Sequence, residues 1–420
     1  MSNDNANANF LNADWWKTAT IEDVKAEIAN GADVNTQSTD LLRPIEYAAR
    51  YAEDPEIIKT LTDAGAKLEK KHALYQALIF NKNLNIILYM INKLGCSGDE
   101  SLAVIAAENP NPDVFLAVMP QNFYINTKFD ESTALMHACM NTNPEMFKLL
   151  LKLGADIHAH NEECFLLMTA AGNPHLPEIV KFLLDSGVDV NGKIKDDIIP
   201  LFHAVCTGGV ENVKILLKAG ADVNIRDSSG KTVIFYSDDP EITKLLIKAS
   251  ADVKLCNSLG ETAIFHAYNA DIVKALLEAG TNVNIKNNNG QTALFYQENP
   301  DIVSILIKAG IEINATDKQG RTALHYAYKS DTIKLLIEAG ADVNAIDNEG
   351  KTKLHLAVEH CYNFDIIKML IDAEANVNTK DKFGNIALDY NVIDEDNIVF
   401  PEESETRRKI SELLEKYQIQ

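Results

Sequence analysis

One short pattern recurs along the chain, and over its middle part the pattern returns every thirty residues. Residues 290–310 read GQTALFYQENPDIVSILIKAG, and residues 320–340 read GRTALHYAYKSDTIKLLIEAG. A fixed period of this length is typical of chains that stack one small module many times, so that each module contacts mainly its neighbours. This repetition restricts the possible folds more than any property of the composition does.

The second half of each repeat predicts an amphipathic helix with signals at both ends. Its apolar residues form one broad stripe, as in 333–337. Many of these helices begin with Asn or Asp, then proline, then an acid, which suits the cap, the first turn and the helix dipole. Most end at a glycine that can adopt the left-handed conformation. Ser250 and Glu374 take that glycine's place in two repeats, at an expected cost of about 1 kcal/mol each.

The first half of each repeat predicts a shorter helix. In residues 322–327, Leu324 and Ala327 lie on one side and Tyr326 lies roughly opposite. We call this helix inner and the longer one outer. A helix pair of this size cannot bury its apolar stripe alone, so the copies must stack. Four consecutive repeats, 231–350, lack about three residues between the two helices, and we expect their inner helices to be about one turn shorter.

The repeats resemble a known family. TALHYA at 322–327, IKLLIEAGADVNAIDNEGKT at 333–352 and IPLFHAVCTGGVENVKILLKAGADVNIRDSSGKT at 199–232 closely resemble ankyrin repeats. The resemblance implies an all-α solenoid of helix–turn–helix repeats with projecting β-turn fingers, a role in protein–protein binding, and a structural hydrogen-bonding role for His325 and His355. It covers residues 12–390 as a single solenoid of about thirteen repeats with atypical caps, in which 73–130 is degenerate.

Both ends of the chain differ from the repeats, because a terminal module lacks one neighbour. We predict a disordered tail over residues 1–11 and a C-terminal capping helix within 391–420. Trp15 and Trp16 begin the N-terminal cap. Packing of this pair onto the second repeat is favoured over an exposed anchor for a partner.

No set of residues in the sequence predicts catalysis or a cofactor. The sequence contains no nucleophile elbow, P-loop, dinucleotide-binding fingerprint or HExxH motif. A superficial metal-ligand spacing occurs at His158, His160 and Cys164. The places of these residues in the repeat favour structural roles. Since the repeats leave no flank large enough for a catalytic domain, we expect no enzyme activity, no metal and no cofactor.

Charge and cysteine usage restrict the partner and the compartment. The net charge of −22 opposes nucleic acid and anionic membranes, and it favours a protein partner with a neutral or basic surface. The six cysteines lie far apart without a CxxC pair, which indicates a reducing compartment. The first residues lack the positive start and continuous apolar core typical of a signal peptide, and no stretch reaches the roughly eighteen apolar residues of a membrane span. We expect a cytoplasmic monomer, although export without a cleaved signal would leave the same sequence.

The candidate binding surface combines the outward face of the inner helices with the finger tips. The outward positions carry a series of rings: His203, Tyr236, His266, Tyr296 and Tyr326. A partly buried groove wall and a partner-contact surface explain these rings equally well. The candidate contacts on the finger tips are Arg226, Ser228, Asn288, Lys318, Asn348 and Lys382.

These observations predict a non-catalytic scaffold that binds a protein through its concave inner-helix face and finger tips. One alternative is a secreted effector of a bacterium or parasite that binds a host protein with the same surface. A third hypothesis, a hydrolase or transferase, would require a pocket of convergent titratable groups.

Overall fold

The computed structural model describes residues 7–95, 100–141, 143–159, 163–193, 198–360, 363–391 and 401–418. The chain divides into two compact bodies. We call residues 1–195 with 199–221 the N-terminal body, and residues 196–198 with 222–420 the C-terminal body. The single solenoid over 12–390 stays a prediction, because the chain forms two bodies.

Helices α1 to α14 and one small sheet make up the described part of the N-terminal body. Odd-numbered helices are inner and pack on one another in order, and even-numbered helices form the outer row in the same way. The helices are Ala13–Trp16, Ile21–Ala29, Pro44–Tyr51, Pro55–Asp63, Lys70–Phe80, Leu84–Asn92, Glu100–Ala106, Pro112–Val118, Ala134–Met140, Pro144–Lys152, Glu163–Ala171, Pro177–Asp185, Pro200–Cys206 and Val210–Lys218. Strands β1, Lys128–Phe129, and β2, Ser132–Thr133, pair antiparallel with Lys128 opposite Thr133. The degenerate segment 73–130 thus contains two further helix pairs.

The C-terminal body repeats the two-row arrangement with shorter inner elements. Its outer helices are α15 Pro240–Lys248, α16 Ala270–Glu278, α17 Pro300–Lys308, α19 Ser330–Glu338 and α21 Phe364–Asp372. Its inner elements are the 3-10 turns Val233–Tyr236, Ala263–His266, Ala293–Tyr296 and Ala387–Tyr390, together with α18 Ala323–Tyr326 and α20 Lys353–Glu359. The chain ends with α22, Pro401–Gln418.

The inner elements of repeats 231–350 are one turn shorter than their counterparts, as the sequence predicts. They span 4 residues, whereas α13 and α20 span 7. Three of the four are 3-10 turns, with bonds such as Phe295 N–H to Thr292 O at 3.1 Å. A segment this short makes few i→i+4 bonds, and i→i+3 bonds complete its single turn.

The ends of the outer helices also agree with the sequence. Asn299 accepts the Asp301 N–H at 3.0 Å and caps α17. Ser250 and Glu374 have φ values of 68° and 66°, so both hold the left-handed conformation that glycine holds in most other repeats. The expected strain at these two positions therefore has its structural basis.

The N-terminal end differs from the prediction of a disordered tail over residues 1–11. Residues 7–11 form turns, and Phe10 is fully buried with its ring stacked on Trp16 at a centroid distance of 5.6 Å. The Trp16 indole N–H donates to Phe10 O at 3.0 Å. The tail prediction is wrong here because one aromatic side chain anchors a polar segment; residues 1–6 lie outside the described residues. Trp16 is buried and its helix α1 packs against α3 of the second repeat, which confirms the packing role predicted for this tryptophan.

The C-terminal helix covers the last repeat. Helix α22 packs against α21 and against the turn Ala387–Tyr390, and it buries Ile410 and Leu414 completely. Asn391 donates to Arg407 O at 2.7 Å and joins the repeat to this helix. Residues 392–400 and 419–420, also assigned to the capping segment by the sequence, lie outside the described residues.

A series of asparagines, which we call the asparagine ladder, joins successive repeats of the N-terminal body. Its members are Asn81, Asn109, Asn141, Asn173 and Asn212. From Asn109 onward, each side-chain amide donates to the main-chain carbonyl of the preceding ladder asparagine, at 2.6–2.8 Å. Sequence reasoning missed this ladder, although the motif Asn-x-Asn at 81–83, 109–111 and 141–143 carries its signal. The ladder satisfies carbonyl groups that the end of each inner helix leaves without a helical partner.

Candidate functional site

The inner elements of the C-terminal body stack aromatic rings from one repeat to the next. Three of the four rings at the candidate position, His266, Tyr296 and Tyr326, contact the phenylalanine of the preceding repeat, with centroid distances of 5.6–5.9 Å. The three contacts are Phe235 with His266, Phe265 with Tyr296, and Phe295 with Tyr326. Tyr296 and Tyr326 are 40% and 36% exposed. Tyr296 and Tyr326 thus both pack against the preceding repeat and present a face to solvent. His203 lies half-buried in the N-terminal body.

All four candidate rings of the C-terminal body, Tyr236 included, are tied to their own finger by a hydrogen bond. The pairs are Tyr236 with Asp227, His266 with Glu261 at 3.0 Å, Tyr296 with Gln291 at 2.6 Å, and Tyr326 with Asp317 at 2.7 Å. Burial and the Asp317 carboxylate raise the pKa of Tyr326, so its hydroxyl stays protonated and donates. Sequence reasoning missed this bracing role, whose signal is an Asp nine residues before a Tyr.

The finger tips are exposed, and each is bonded to the next. The Lys318 N–H donates to Asn289 O at 2.8 Å, and equivalent bonds join the other neighbouring fingers of the C-terminal body. Asn288, Asn348 and Arg226 also donate side-chain bonds to the backbone of an adjacent finger. Ser228, Lys318 and Lys382 complete the six predicted contacts, and all six are exposed. Three of them therefore brace the row of fingers, and the partner-binding role of the six stays a prediction.

A groove opens beside the ring series, and we call it the tyrosine groove. Tyr268, Tyr296, Tyr326 and Tyr328 line it together with Glu298, and its volume is about 490 Å³. Tyr268 and Tyr328 are 68% and 56% exposed. They lie at equivalent places, in the connection after the inner turn, with Glu298 at that place in the repeat between them. The repeat pattern did not indicate Tyr268 and Tyr328, because they lie in the connections and not at the helical position that carries the rings.

Comparison with known proteins identifies the family. The family model "Ankyrin repeats (3 copies)" matches residues 74–161, 102–194, 160–227, 233–317 and 296–381, which together cover well over half of the chain. The protein belongs to the ankyrin repeat family. Ankyrin repeats bind proteins and are typically non-catalytic, so the coarse function expected from the sequence is supported.

Solved structures give one further comparison. The ankyrin repeat domain of Bcl-3, described as a unique member of the IkappaB protein family, has 25% sequence identity and a TM-score of 0.41. The match covers 51% of this chain and 100% of that one. The search of curated proteins found no match.

Two histidines have the structural role that the resemblance to ankyrin repeats implies. In the repeat that begins with Thr322, the Thr322 N–H lies 3.1 Å from His325 Nδ1, and His325 Nε2 lies 3.3 Å from Lys351 O. Nε2 therefore carries the proton and donates to the carbonyl, while Nδ1 accepts. Burial lowers the pKa of His325, which keeps the ring in this neutral form. His355 makes the same contacts one ankyrin repeat later.

Three neighbouring ankyrin repeats carry phenylalanine in place of this histidine, at 235, 265 and 295. Among the described residues, the buried hydroxyls of their threonines find no hydrogen-bond partner; these are Thr232, Thr262 and Thr292. In contrast, the Thr322 hydroxyl lies 2.9 Å from His325 Nδ1. An unsatisfied buried hydroxyl is a cost that the histidine removes.

This contrast predicts opposite effects of one substitution in adjacent ankyrin repeats. Thr292→Val should raise the free energy of unfolding by about 1 kcal/mol, because a methyl group replaces an unsatisfied hydroxyl of the same shape. Thr322→Val should lower it by about 1 kcal/mol, because His325 loses a hydrogen-bond donor. Urea denaturation followed by circular dichroism measures both. Effects of the same sign would contradict the assignment.

The remaining candidates for chemistry are few. Among the described ranges, no group of three or more His, Cys, Asp and Glu residues is placed to hold a metal ion. Of the three residues with a superficial metal-ligand spacing, His158, His160 and Cys164, His160 and the side chain of Cys164 lie outside what the structure describes. Burial raises the pKa of the Cys139 thiol, which is the state expected of an inert core cysteine. No helix in the described segments has the length and apolar content to cross a membrane.

Proposed function

We propose that this ankyrin repeat protein is a non-catalytic scaffold that captures a protein partner in the tyrosine groove. The observation that supports the proposal is the group of four partly exposed tyrosines around one depression. Tyrosine gives a large contact area at a low entropic cost, and it is enriched among residues that dominate binding energy. Clustered exposed aromatics of this kind are unusual on a surface that contacts water alone.

The shape of the surface favours a polypeptide over a small ligand. A second depression of about 520 Å³ adjoins the tyrosine groove at Tyr328 and continues to Asp331, Asn363 and Ile366. Shallow, connected depressions suit an extended segment, whereas small molecules favour enclosed pockets. We also propose a cytoplasmic monomer, in line with the composition of the chain.

The test removes the two most exposed tyrosines of the groove. Tyr268→Ala combined with Tyr328→Ala should lower the yield of captured partner by at least about tenfold, because exposed aromatic anchors each contribute on the order of 2 kcal/mol to binding. The melting temperature should stay near that of the unchanged protein, since both side chains are mainly exposed. Capture from native lysate followed by quantitative mass spectrometry measures the yield.

Tyr296 and Tyr326 are poor choices for this test, because alanine would also remove their hydrogen bonds to the fingers. Tyr124→Ala is the matched control, since Tyr124 is 64% exposed and lies in the N-terminal body. Equal yields from the double variant and the control would show that the groove does not bind the partner.

A further inference from the structure

Two tyrosines at the candidate ring position already make a cation–π contact with a basic side chain of their own repeat. Lys231 Nζ lies 5.5 Å from the ring centroid of Tyr236, and the Arg321 guanidinium lies 5.9 Å from that of Tyr326. In both repeats the basic residue precedes its tyrosine by five positions. The ring series of the C-terminal body therefore accepts lysine and arginine side chains as cation–π partners.

The repeat of Tyr296 departs from this pattern. Gln291 takes the place of the basic residue, and its side-chain oxygen accepts the Tyr296 hydroxyl at 2.6 Å. Among the described residues, no lysine or arginine lies over the Tyr296 ring. The face of Tyr296, 40% exposed, lines the tyrosine groove instead.

A fixed negative charge lies in the same groove. The Glu298 carboxylate accepts the Tyr328 N–H at 3.0 Å and the Lys329 N–H at 3.3 Å, so the backbone holds it in place. The rings of Tyr268 and Tyr328 line the groove beside it. Aromatic faces next to an oriented carboxylate are what an ammonium or a guanidinium group binds.

We propose that the tyrosine groove recognises a basic segment of its partner and takes one lysine or arginine side chain over Tyr296 with its charge against Glu298. This inference rests on the proposed function, since it names the chemistry of the segment that the groove would hold. The net charge of −22 adds a long-range field that draws a basic segment toward the protein. Lys329 is the cation that lines the groove; an acidic segment would gain this one contact and would face the carboxylates of Glu298 and Asp331.

The experiment uses a displayed library of short linear peptides. The library is selected on the full-length protein and depleted on the Tyr268→Ala/Tyr328→Ala variant, which removes peptides that bind elsewhere on the acidic surface. We expect the retained peptides to share a lysine or arginine. In a synthetic copy, replacement of that residue by norleucine should weaken binding about tenfold by calorimetry, because the charge is lost while the apolar stem remains.

Variants of the protein complete the test. Glu298→Gln should lower the affinity for the basic peptide about fivefold and should leave the affinity for the norleucine peptide nearly unchanged. The effects of the protein change and the peptide change are therefore not additive. Lys329→Gln should raise the affinity for the basic peptide about twofold. A melting curve of each variant separates these effects from loss of folding, and the norleucine comparison involves no change in the protein.

The outcomes distinguish this inference from the proposed function. Equal affinity for the lysine and norleucine peptides, or enrichment of acidic peptides that need Lys329, would overturn the basic-segment inference and leave the groove as the binding site. A library without any peptide that depends on Tyr268 and Tyr328 would also overturn it. Capture of the native partner would then decide the proposed function by itself.

Discussion

Replacement of Asn109 by alanine is expected to lower the free energy of unfolding of the N-terminal body by about 3 kcal/mol. The fully buried side chain of Asn109 donates to Leu78 O at 2.7 Å and to Asn81 O at 2.8 Å, and it accepts the Asn111 N–H at 2.9 Å. Alanine removes all three bonds and leaves the two carbonyls of the preceding repeat without this donor. Each lost bond of this kind costs about 1 kcal/mol or more when its partner stays buried.

Urea denaturation followed by circular dichroism measures the change in the free energy of unfolding. Hydrogen exchange shows which helices are destabilised. Because a repeat contacts mainly its neighbours, protection should fall first in helices α5 to α8. Asn111→Ala is the matched control. Its side chain caps α8 and donates to Lys82 O at 3.3 Å in an exposed setting, so we expect a loss of about 1 kcal/mol. If the two alanine variants were equally stable, the asparagine ladder would have no special role.

Lys353 is expected to make the stability of the C-terminal body depend on pH above neutrality. Its ammonium group is buried and donates to the carbonyls of His325 and Ala327 in the preceding repeat. Burial lowers the pKa of Lys353 from 10.5 to about 7, and the charge of Glu298 opposes this shift. The folded protein thus gives up a proton at a lower pH than the unfolded chain does.

The sign of the effect follows from proton binding. Below pH 7 both states hold the proton on Lys353, and the cost of the buried charge is fully present. Between pH 7 and the ordinary lysine pKa the unfolded chain binds more protons, so stability rises with pH. Compared with Lys353→Met, the unchanged protein should gain about 2 kcal/mol between pH 7 and pH 9. Parallel stability curves of the two proteins over this range would show that Lys353 keeps its ordinary pKa.

Lys308→Met serves as the control for this measurement. Lys308 ends the outer helix α17 and is exposed, so its removal should leave the pH dependence of unfolding as it is in the unchanged protein. Urea titrations at several pH values, followed by circular dichroism, give all three curves. The comparison subtracts the titration of the other lysines and the tyrosines, which the three proteins share.

Most of the architecture could be predicted from local patterns. The proline after Asn299, the left-handed positions at Ser250 and Glu374, and the missing turn in repeats 231–350 are each set by residues close in sequence. Sequence periodicity reports such features directly because the residues that decide them lie within one repeat. The same local reading failed at Phe10, since nothing in its neighbourhood indicates that Trp16 is there to cover it.

The candidate site could be predicted in part. The period placed Tyr236, Tyr296 and Tyr326 on one face, and the structure brings Tyr296 and Tyr326 to one groove of the C-terminal body. The sequence period did not indicate that the side chains of Tyr296 and Tyr326 bond to the fingers. Nor did it indicate that Tyr268 and Tyr328 in the connections complete a groove around Glu298. Those arrangements depend on how far the chain turns between elements.

The sequence by itself determined the helices and their caps, because these depend on contacts between residues a few positions apart. It also determined the repeat and the family, because the same short motifs recur along the chain. Tertiary structure alone decided which polar groups meet across neighbouring repeats: the asparagine ladder, the buried ammonium of Lys353 and the carboxylate among the tyrosines. Their partners lie about one repeat away in sequence. The physical reason is that a hydrogen bond or a buried charge needs interatomic distances that are correct to within a few tenths of an ångström. Only the packing of one repeat on the next can set distances to that tolerance.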